Sequence, residues 1–345
     1  MLRPALLALA ATLALAGRVH AQAPQVATEE ATVDSPHGGL KIYVRNKHPA
    51  SMNQWTPDKT VVFVHGATYP ASTAFDLQLG GLSWMDFIAQ HGFDVYLVDL
   101  PGYGKSARQP EMDQPAEAGQ PVETTADAVR DYGAVVDWVL ARRHLNKLDV
   151  MGWSWGTTIA GGYAAEQPAK VNRLVLYAPV WLPPTASTAE APKLGAYRMV
   201  TRDAALARWL NGVPEDKKAT LIPQGWFDTW QQATWATDPK SGANNALRAS
   251  NGVMLDLQRY WNSGKPTYDP SKITAPTLMI QAEWDQDTPP ARSQGLFPKL
   301  TGAAWKEYVL IGEGTHTVMM EKNRMVLFQA VQDFLEERGP DGKAS

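Results

Sequence analysis

In the stretch Asp149-Val150-Met151-Gly152-Trp153-Ser154-Trp155-Gly156-Thr157-Thr158 an apolar run meets a run of small residues. Residues 148–151 are mostly apolar and read as a short strand. After Gly152, a segment through Thr157, Ile159, Ala160 and Gly161 reads as a helix. Between them lies Gly-Trp-Ser-Trp-Gly, a G-x-S-x-G pentapeptide in the strand–turn–helix context where that pattern positions a nucleophile. The glycines have a steric reason. A serine at so tight a turn takes a strained backbone conformation, and its neighbours two residues away must lack a Cβ to avoid collision. The turn carries the hydroxyl to its tip, and the N-terminus of the following helix favours negative charge developing there. Taken alone, the pentapeptide also fits an ordinary glycine-rich turn of a doubly wound sheet.

The chain has 345 residues, 44% hydrophobic and 19% charged, with a formal net charge of -3. That length suits one large α/β domain with an insertion, or two domains. The charge gives no electrostatic case for nucleic acid, and no basic run interleaved with aromatics occurs. Cysteine is absent, which excludes disulfides, thiolate catalysis and zinc–thiolate sites. Met1-Leu2-Arg3 followed by the Ala/Leu run of residues 4–16, with small residues at Val19-His20-Ala21 and Ala21-Gln22-Ala23, reads as a secretory signal peptide over residues 1–23. No other stretch approaches membrane-spanning length. The expected mature protein is exported, either periplasmic or secreted, with no membrane anchor.

Around the pentapeptide, strand-like and helix-like runs alternate. Residues 24–35 are a polar arm or edge strand, 40–45 alternate like a strand with one solvated face, and 47–59 are turn-rich. Residues 60–64 and 95–98 are β-branched runs that read as strands buried on both faces. The first ends in His65-Gly66-Ala67-Thr68 and the second in Asp99-Leu100-Pro101-Gly102-Tyr103-Gly104-Lys105-Ser106. The Gly-Lys-Ser there is no phosphate loop, because that motif needs a glycine where Asp99 stands. Residues 82–90 read as a helix, and Thr124 or Thr125 caps another running to about residue 143. Strands follow at 171–178, 276–281 and 305–311, and an amphipathic helix at 318–335 closes the pattern. Repeated strand-then-helix order predicts an α/β fold with a mostly parallel, doubly wound sheet. Between residues 181 and 270 no buried-strand run appears. Six of the 13 tryptophans lie there: Trp181, Trp209, Trp226, Trp230, Trp235 and Trp261. This segment is expected to be a helical lid over the sheet's carboxyl edge, dividing the core into 24–180 and 271–345.

A serine hydroxyl needs a base. Of the seven histidines, His20 leaves with the signal, while His37, His48 and His144 fall in polar, surface-like contexts. His91 sits at a helix C-terminus, a bland position for an imidazole. His65 follows a strand but precedes Ser154 in the chain. His316, in a Gly-Thr-His turn after the last strand, shares the carboxyl edge with Ser154 and is the expected base. The base needs an anion. None follows the strand at 171–178, whereas Glu283, Asp285 and Asp287 follow the next one, and a spacing of two cannot choose among them.

Strand-His-Gly-x, strand-Asp-x-x-Gly-x-Gly-x-Ser, Gly-x-Ser-x-Gly, strand-Ala-x-x-Asp-x-x-x-Pro and a late Gly-x-His occur in the order found in the α/β-hydrolase family, which the chain resembles over nearly all of residues 40–338 outside the lid. The resemblance implies Ser154, Asp285 and His316 as a catalytic triad. It also implies the backbone N–H groups of Ala67 and Trp155 as the oxyanion hole. His-Gly-Ala-Thr stands where many lipases have His-Gly-Gly-Gly, a departure that bears on bulky tertiary-alcohol esters and leaves the triad untouched. Trp153 and Thr68 are candidate substrate-binding residues, though Trp153 equally suits packing beneath the turn. The expected activity is hydrolysis of a small to medium apolar or aromatic carboxylic ester, with no cofactor and no metal. The chain also resembles prolyl aminopeptidase-like enzymes, in which lid carboxylates receive a substrate amine. Glu215, Asp216, Asp228 and Asp238 are available for that role, in no diagnostic pattern. Dehalogenase or epoxide hydrolase chemistry needs an aspartate where Ser154 stands, and a non-catalytic binding protein on the same fold is the remaining alternative.

Overall fold

The β-branched runs form the centre of one sheet. The computed structural model describes residues 23–186, 192–337 and 339, so the expected signal segment lies almost wholly outside the described residues. The strands are β1 (Val26–Asp34), β2 (Lys41–Pro49), β3 (Thr60–Val64), β4 (Asp94–Asp99), β5 (Leu148–Trp153), β6 (Val171–Tyr177), β7 (Tyr197–Thr201), β8 (Ala246–Ser250), β9 (Thr277–Ala282) and β10 (Lys306–Ile311). The main helices are α1 (Trp84–Gln90), α2 (Thr125–Arg143), α3 (Trp155–Glu166), α4 (Arg202–Trp209), α5 (Trp226–Trp235), α6 (Pro290–Leu296) and α7 (Arg324–Glu336). Among the described residues an eight-stranded sheet runs in the order β1-β2-β4-β3-β5-β6-β9-β10. Its pairs from β4 to β10 are parallel, and β1 and β2 are antiparallel additions at one edge.

Alternate residues of the inner strands face opposite cores, as the period of two requires. Val61, Phe63, Met151, Val175 and Leu278 pack with α1 and α7 on one side. Val62, Val64, Val150, Leu174 and Met279 pack with α2 and α3 on the other. From β3 the chain winds toward β4, and from β5 toward β6, so the order reverses between β3 and β5. Their carboxyl ends are registered side by side, Val64 opposite Gly152. A crevice outside the strand ends at such a reversal is where ligands bind in open α/β sheets.

Four expectations need correction. β2 runs on through residues 47–49, which looked turn-like, and it lacks a solvated face because helices cover both of its sides. Its polar residues are accommodated by pairing: Lys47 Nζ reaches Asp76 and Asp86 at 2.6 Å each, and Asn46 Nδ2 donates to Asp94 at 2.7 Å. His48, expected at the surface, is buried there and meets Trp55 edge-on. The segment between β6 and β9 is also not wholly helical. It contains an antiparallel ribbon, β7 with β8, and every residue of β8 is buried. Ala246, Ala249 and Ser250 carry little β-propensity. The strand is held instead by context, with Asp238 accepting from both the Arg248 N–H and its guanidinium.

Candidate active site

Ser154 stands between β5 and α3 at φ 56° and ψ -123°, a conformation an L-residue adopts only under constraint. The constraint comes from close backbone contact. A Cβ on Gly152 would lie 2.0 Å from the Gly156 carbonyl oxygen, and one on Gly156 would lie 2.5 Å from the Val64 carbonyl oxygen. Only glycine fits both positions, so the pentapeptide's pattern is a packing requirement. Ser154 itself is 5% exposed.

The loops after β9 and β10 bring the acid and the histidine together, since Ala282 and Ile311 are registered partners at the two strand ends. His316 Nδ1 lies 2.8 Å from Asp285 Oδ2. A carboxylate only accepts, so Nδ1 carries the proton and Nε2 presents its lone pair. Asp285 accepts four further hydrogen bonds, from the backbone N–H groups of Asp287 and Thr288 at 2.9 Å, from Thr288 Oγ1 at 2.9 Å and from Gln281 Nε2 at 2.8 Å. Burial works against the imidazolium, but Asp285 and Asp287 outweigh it, and the His316 pKa stands above the ordinary imidazole value. Nε2 is buried without a hydrogen-bond partner among the described residues. Ser154 Oγ therefore makes no hydrogen bond to it, although both residues line one cleft. Such contacts commonly tighten when substrate enters.

Of the three acids left open by spacing, Asp285 holds Nδ1. Glu283 points elsewhere, accepting from the Glu313 N–H at 3.0 Å. Asp287 lies 3.9 Å from Nε2 and pairs with Arg208 Nε at 2.6 Å. The histidine loop is further fixed by buried Glu321. Its Oε1 accepts from Trp209 Nε1 at 2.8 Å and from the Thr315 and Thr317 hydroxyls, and its Oε2 from the Thr315 N–H at 3.0 Å. Burial raises the Glu321 pKa despite these donors. Helix α4 is thereby tied to the loop that carries His316.

The β3 loop is braced by His65, which sequence reasoning had set aside. The Leu100 N–H donates to His65 Nε2 at 3.1 Å, so Nε2 accepts, and Nδ1 donates to the Gly66 carbonyl at 2.7 Å. Burial, partly opposed by Asp99, lowers the His65 pKa and keeps the ring neutral. Tyr103 Oη donates to the Ala67 carbonyl at 3.0 Å. With that carbonyl engaged, the Ala67 N–H and the Trp155 N–H, first of α3, have no acceptor among the described residues. Two unpaired donors flanking a serine hydroxyl suit an oxyanion.

Trp153 and Thr68 line the cleft beside Ser154, yet each is also committed elsewhere. Trp153 Nε1 donates to the His316 carbonyl at 3.0 Å, and its ring stacks on Tyr177. Thr68 Oγ1 accepts from Arg198 Nη2 at 3.0 Å and Arg208 Nη1 at 2.9 Å. Trp155 is fully buried, its indole donating to Thr125 Oγ1 at 2.9 Å.

Two cavities meet at Ser154. A narrow cleft of about 20 Å³ includes Trp153, His316, Thr317, Arg208 and Trp209. A larger chamber of about 330 Å³ includes Trp155, Val253, Leu257, Trp261 and three arginines, Arg198, Arg208 and Arg292. The expected tryptophan roof is therefore reduced to Trp209 and Trp261. Trp230 and Trp235 pack with Tyr69, Trp209 and Phe227 in the core instead. The arginines were missed, because no local pattern links residues 198, 208 and 292. The four acids considered for amine recognition line neither cavity. Asp228 pairs with Arg202 and Asp238 with Arg248, Glu215 pairs with Lys218, and Asp216 is exposed. No cluster of metal-ligating side chains occurs among the described residues.

A family model described as the alpha/beta hydrolase fold matches residues 59–323. A curated relative, the pimeloyl-[acyl-carrier protein] methyl ester esterase of Chromobacterium violaceum, is 40% identical over 86 residues, 25% of this chain and 26% of that protein. The chain thus matches about a quarter of that relative's length. Among solved structures, the carbazole-degradation serine hydrolase CarC superposes with a TM-score of 0.61 at 19% identity, covering 90% of this chain and all of that one. A thermophilic esterase from Thermogutta terrifontis gives a TM-score of 0.57 at 16% identity, covering 89% and 98%. At these identities the structures speak for the fold, while the family match spans well over half of the sequence. The chain belongs to the α/β-hydrolase family.

Proposed function

We propose that the protein is an exported serine hydrolase that cleaves carboxylic esters through an acyl-enzyme. The observation that carries this reading is Ser154, held in a strained turn between two unpaired N–H donors and sharing a cleft with a histidine whose far nitrogen is fixed by Asp285. In the proposed reaction His316 Nε2 takes the proton of Ser154 Oγ as the oxygen attacks the ester carbon. The tetrahedral oxyanion rests on the Ala67 and Trp155 N–H groups. Collapse breaks the ester C–O bond, and the alcohol leaves with the proton from His316. Water, deprotonated by the same nitrogen, then releases the acid and restores the serine. No step requires a metal or an organic cofactor, and the partner is a small-molecule ester. The likeness to the Chromobacterium methyl ester esterase supports the ester reading over the amide one, as does the cationic rather than acidic lining of the chamber. Export rests on the N-terminal sequence, with cleavage after Ala21 or Ala23. Assaying ethyl butyrate beside proline p-nitroanilide tests the reaction. Ester hydrolysis that disappears in Ser154→Ala is expected, and cleavage of the anilide alone would overturn the ester assignment.

A further inference from the structure

Three guanidinium groups border the chamber beside Ser154, and the chamber wall offers them one carboxylate, Asp287. Arg208 takes it. Arg198 donates only to uncharged oxygens: the Ser250 carbonyl at 2.5 Å, the Ala67 carbonyl at 2.7 Å and Thr68 Oγ1 at 3.0 Å. Arg292 donates to the Trp181 carbonyl at 3.2 Å. A guanidinium has five N–H groups. At least two on Arg198 and four on Arg292 therefore have no acceptor among the described residues. Burial pushes the pKa of both down, with Asp285 and Asp287 only partly opposing it at Arg292. Both side chains are only partly buried, so their free N–H groups are open to a ligand in the chamber, and a planar carboxylate matches the guanidinium fork. Beside them the wall is apolar, with Val253, Met254, Leu257 and Trp261.

The two cavities also divide the substrate. The departing alcohol oxygen must reach His316 Nε2, and His316 borders the cleft but not the chamber. The acyl oxygen faces the Ala67 N–H, which borders both cavities, and the Trp155 N–H, which borders the chamber alone, so the oxyanion hole leaves the chamber open to the acyl side. The acyl chain therefore extends into the chamber and the alcohol into the cleft. The cleft is narrow, about 20 Å³, which suits a small alcohol.

We propose that the substrate is the monoester of a dicarboxylic acid with a small alcohol, its chain lying along the apolar wall and its free carboxylate held by Arg198 and Arg292. This rests on the serine esterase reading. Water enters, one ester C–O bond breaks, and the products are the alcohol and the dicarboxylic acid.

Two measurements separate this claim from the reading beneath it. The first titrates Ser154→Ala protein calorimetrically with adipate, which needs no turnover. Saturable binding is expected, weakened about 10- to 100-fold by Arg198→Gln or Arg292→Gln, the range for losing a charge-assisted hydrogen bond. Because Arg198 also braces the Ala67 loop, Arg292→Gln is the safer variant. No binding, or binding unmoved by Arg292→Gln, overturns the proposal. The second compares ethanol release from monoethyl adipate and ethyl hexanoate, which have the same acyl length with and without the carboxylate. The half-ester should have the larger kcat/KM, through KM, and Arg292→Gln should reduce that preference about 10-fold or more. Equal rates on both esters would sink the proposal and leave the esterase standing. Adipate binding through the arginines with neither ester cleaved would support the anion site and remove the esterase.

Discussion

Ser154 holds a backbone conformation that costs an L-residue roughly 1–3 kcal/mol, and the two glycines that enforce it line neither cavity. Strain of this kind is testable apart from catalysis. Ser154→Gly should unfold at a higher temperature than Ser154→Ala, since glycine adopts φ 56° freely, while both lower kcat by about 10⁴–10⁶-fold. Gly152→Ala should cost about 3 kcal/mol or more, because its Cβ would collide with backbone that cannot yield; chemical denaturation or loss of soluble protein reads this out. His316 gives the pH dependence. It acts as a base only when neutral, so activity rises with pH through its pKa, which is raised by Asp285 and Asp287. The acid limb of kcat/KM should lie above the ordinary imidazole value. Asp287→Asn removes one raising charge and should move that limb to lower pH while turnover persists; an unmoved limb would deny Asp287 any influence on the base.

At the scale of elements, the loops of the nucleophile, the acid and the oxyanion hole follow fully buried, mostly apolar strands, which is why β3, β4, β5, β6 and β9 and the loops beyond them were legible, while β10 before His316 is only partly buried. Asp285 was legible only through family resemblance, because three acids at a spacing of two look alike. What the sequence concealed depends on contacts between distant residues. β8 owes its strand conformation to the Asp238–Arg248 pair, and the chamber's arginines come from β7, α4 and α6. Burial of both faces of β2 likewise depends on helices elsewhere in the chain. Trp209 and Glu321 show how such contacts reach the site, joining α4 to the histidine loop. Trp209→Phe leaves buried Glu321 with one donor fewer and should cost about 1–2 kcal/mol in urea denaturation, without unfolding the core.

At the scale of the molecule, the reversal of strand order between β3 and β5 places the oxyanion loop beside the nucleophile, and the neighbouring ends of β9 and β10 bring acid and base to the same edge. The segment between β6 and β9 then closes over that edge through Arg208, which grips Asp287 and Thr68. This pair is partly solvated, so Arg208→Ala should alter global stability by no more than about 1 kcal/mol. It should nonetheless speed amide hydrogen exchange in α4 relative to β3–β6, as expected of an element held at its rim. The central claim remains that Ser154 is an activated nucleophile. Intact-mass and peptide mass spectrometry after treatment of the folded protein with a fluorophosphonate test it most directly. The account predicts a single adduct, on the peptide containing Ser154, formed far more slowly after His316→Ala. No adduct on folded protein, or an adduct at another serine, would contradict it.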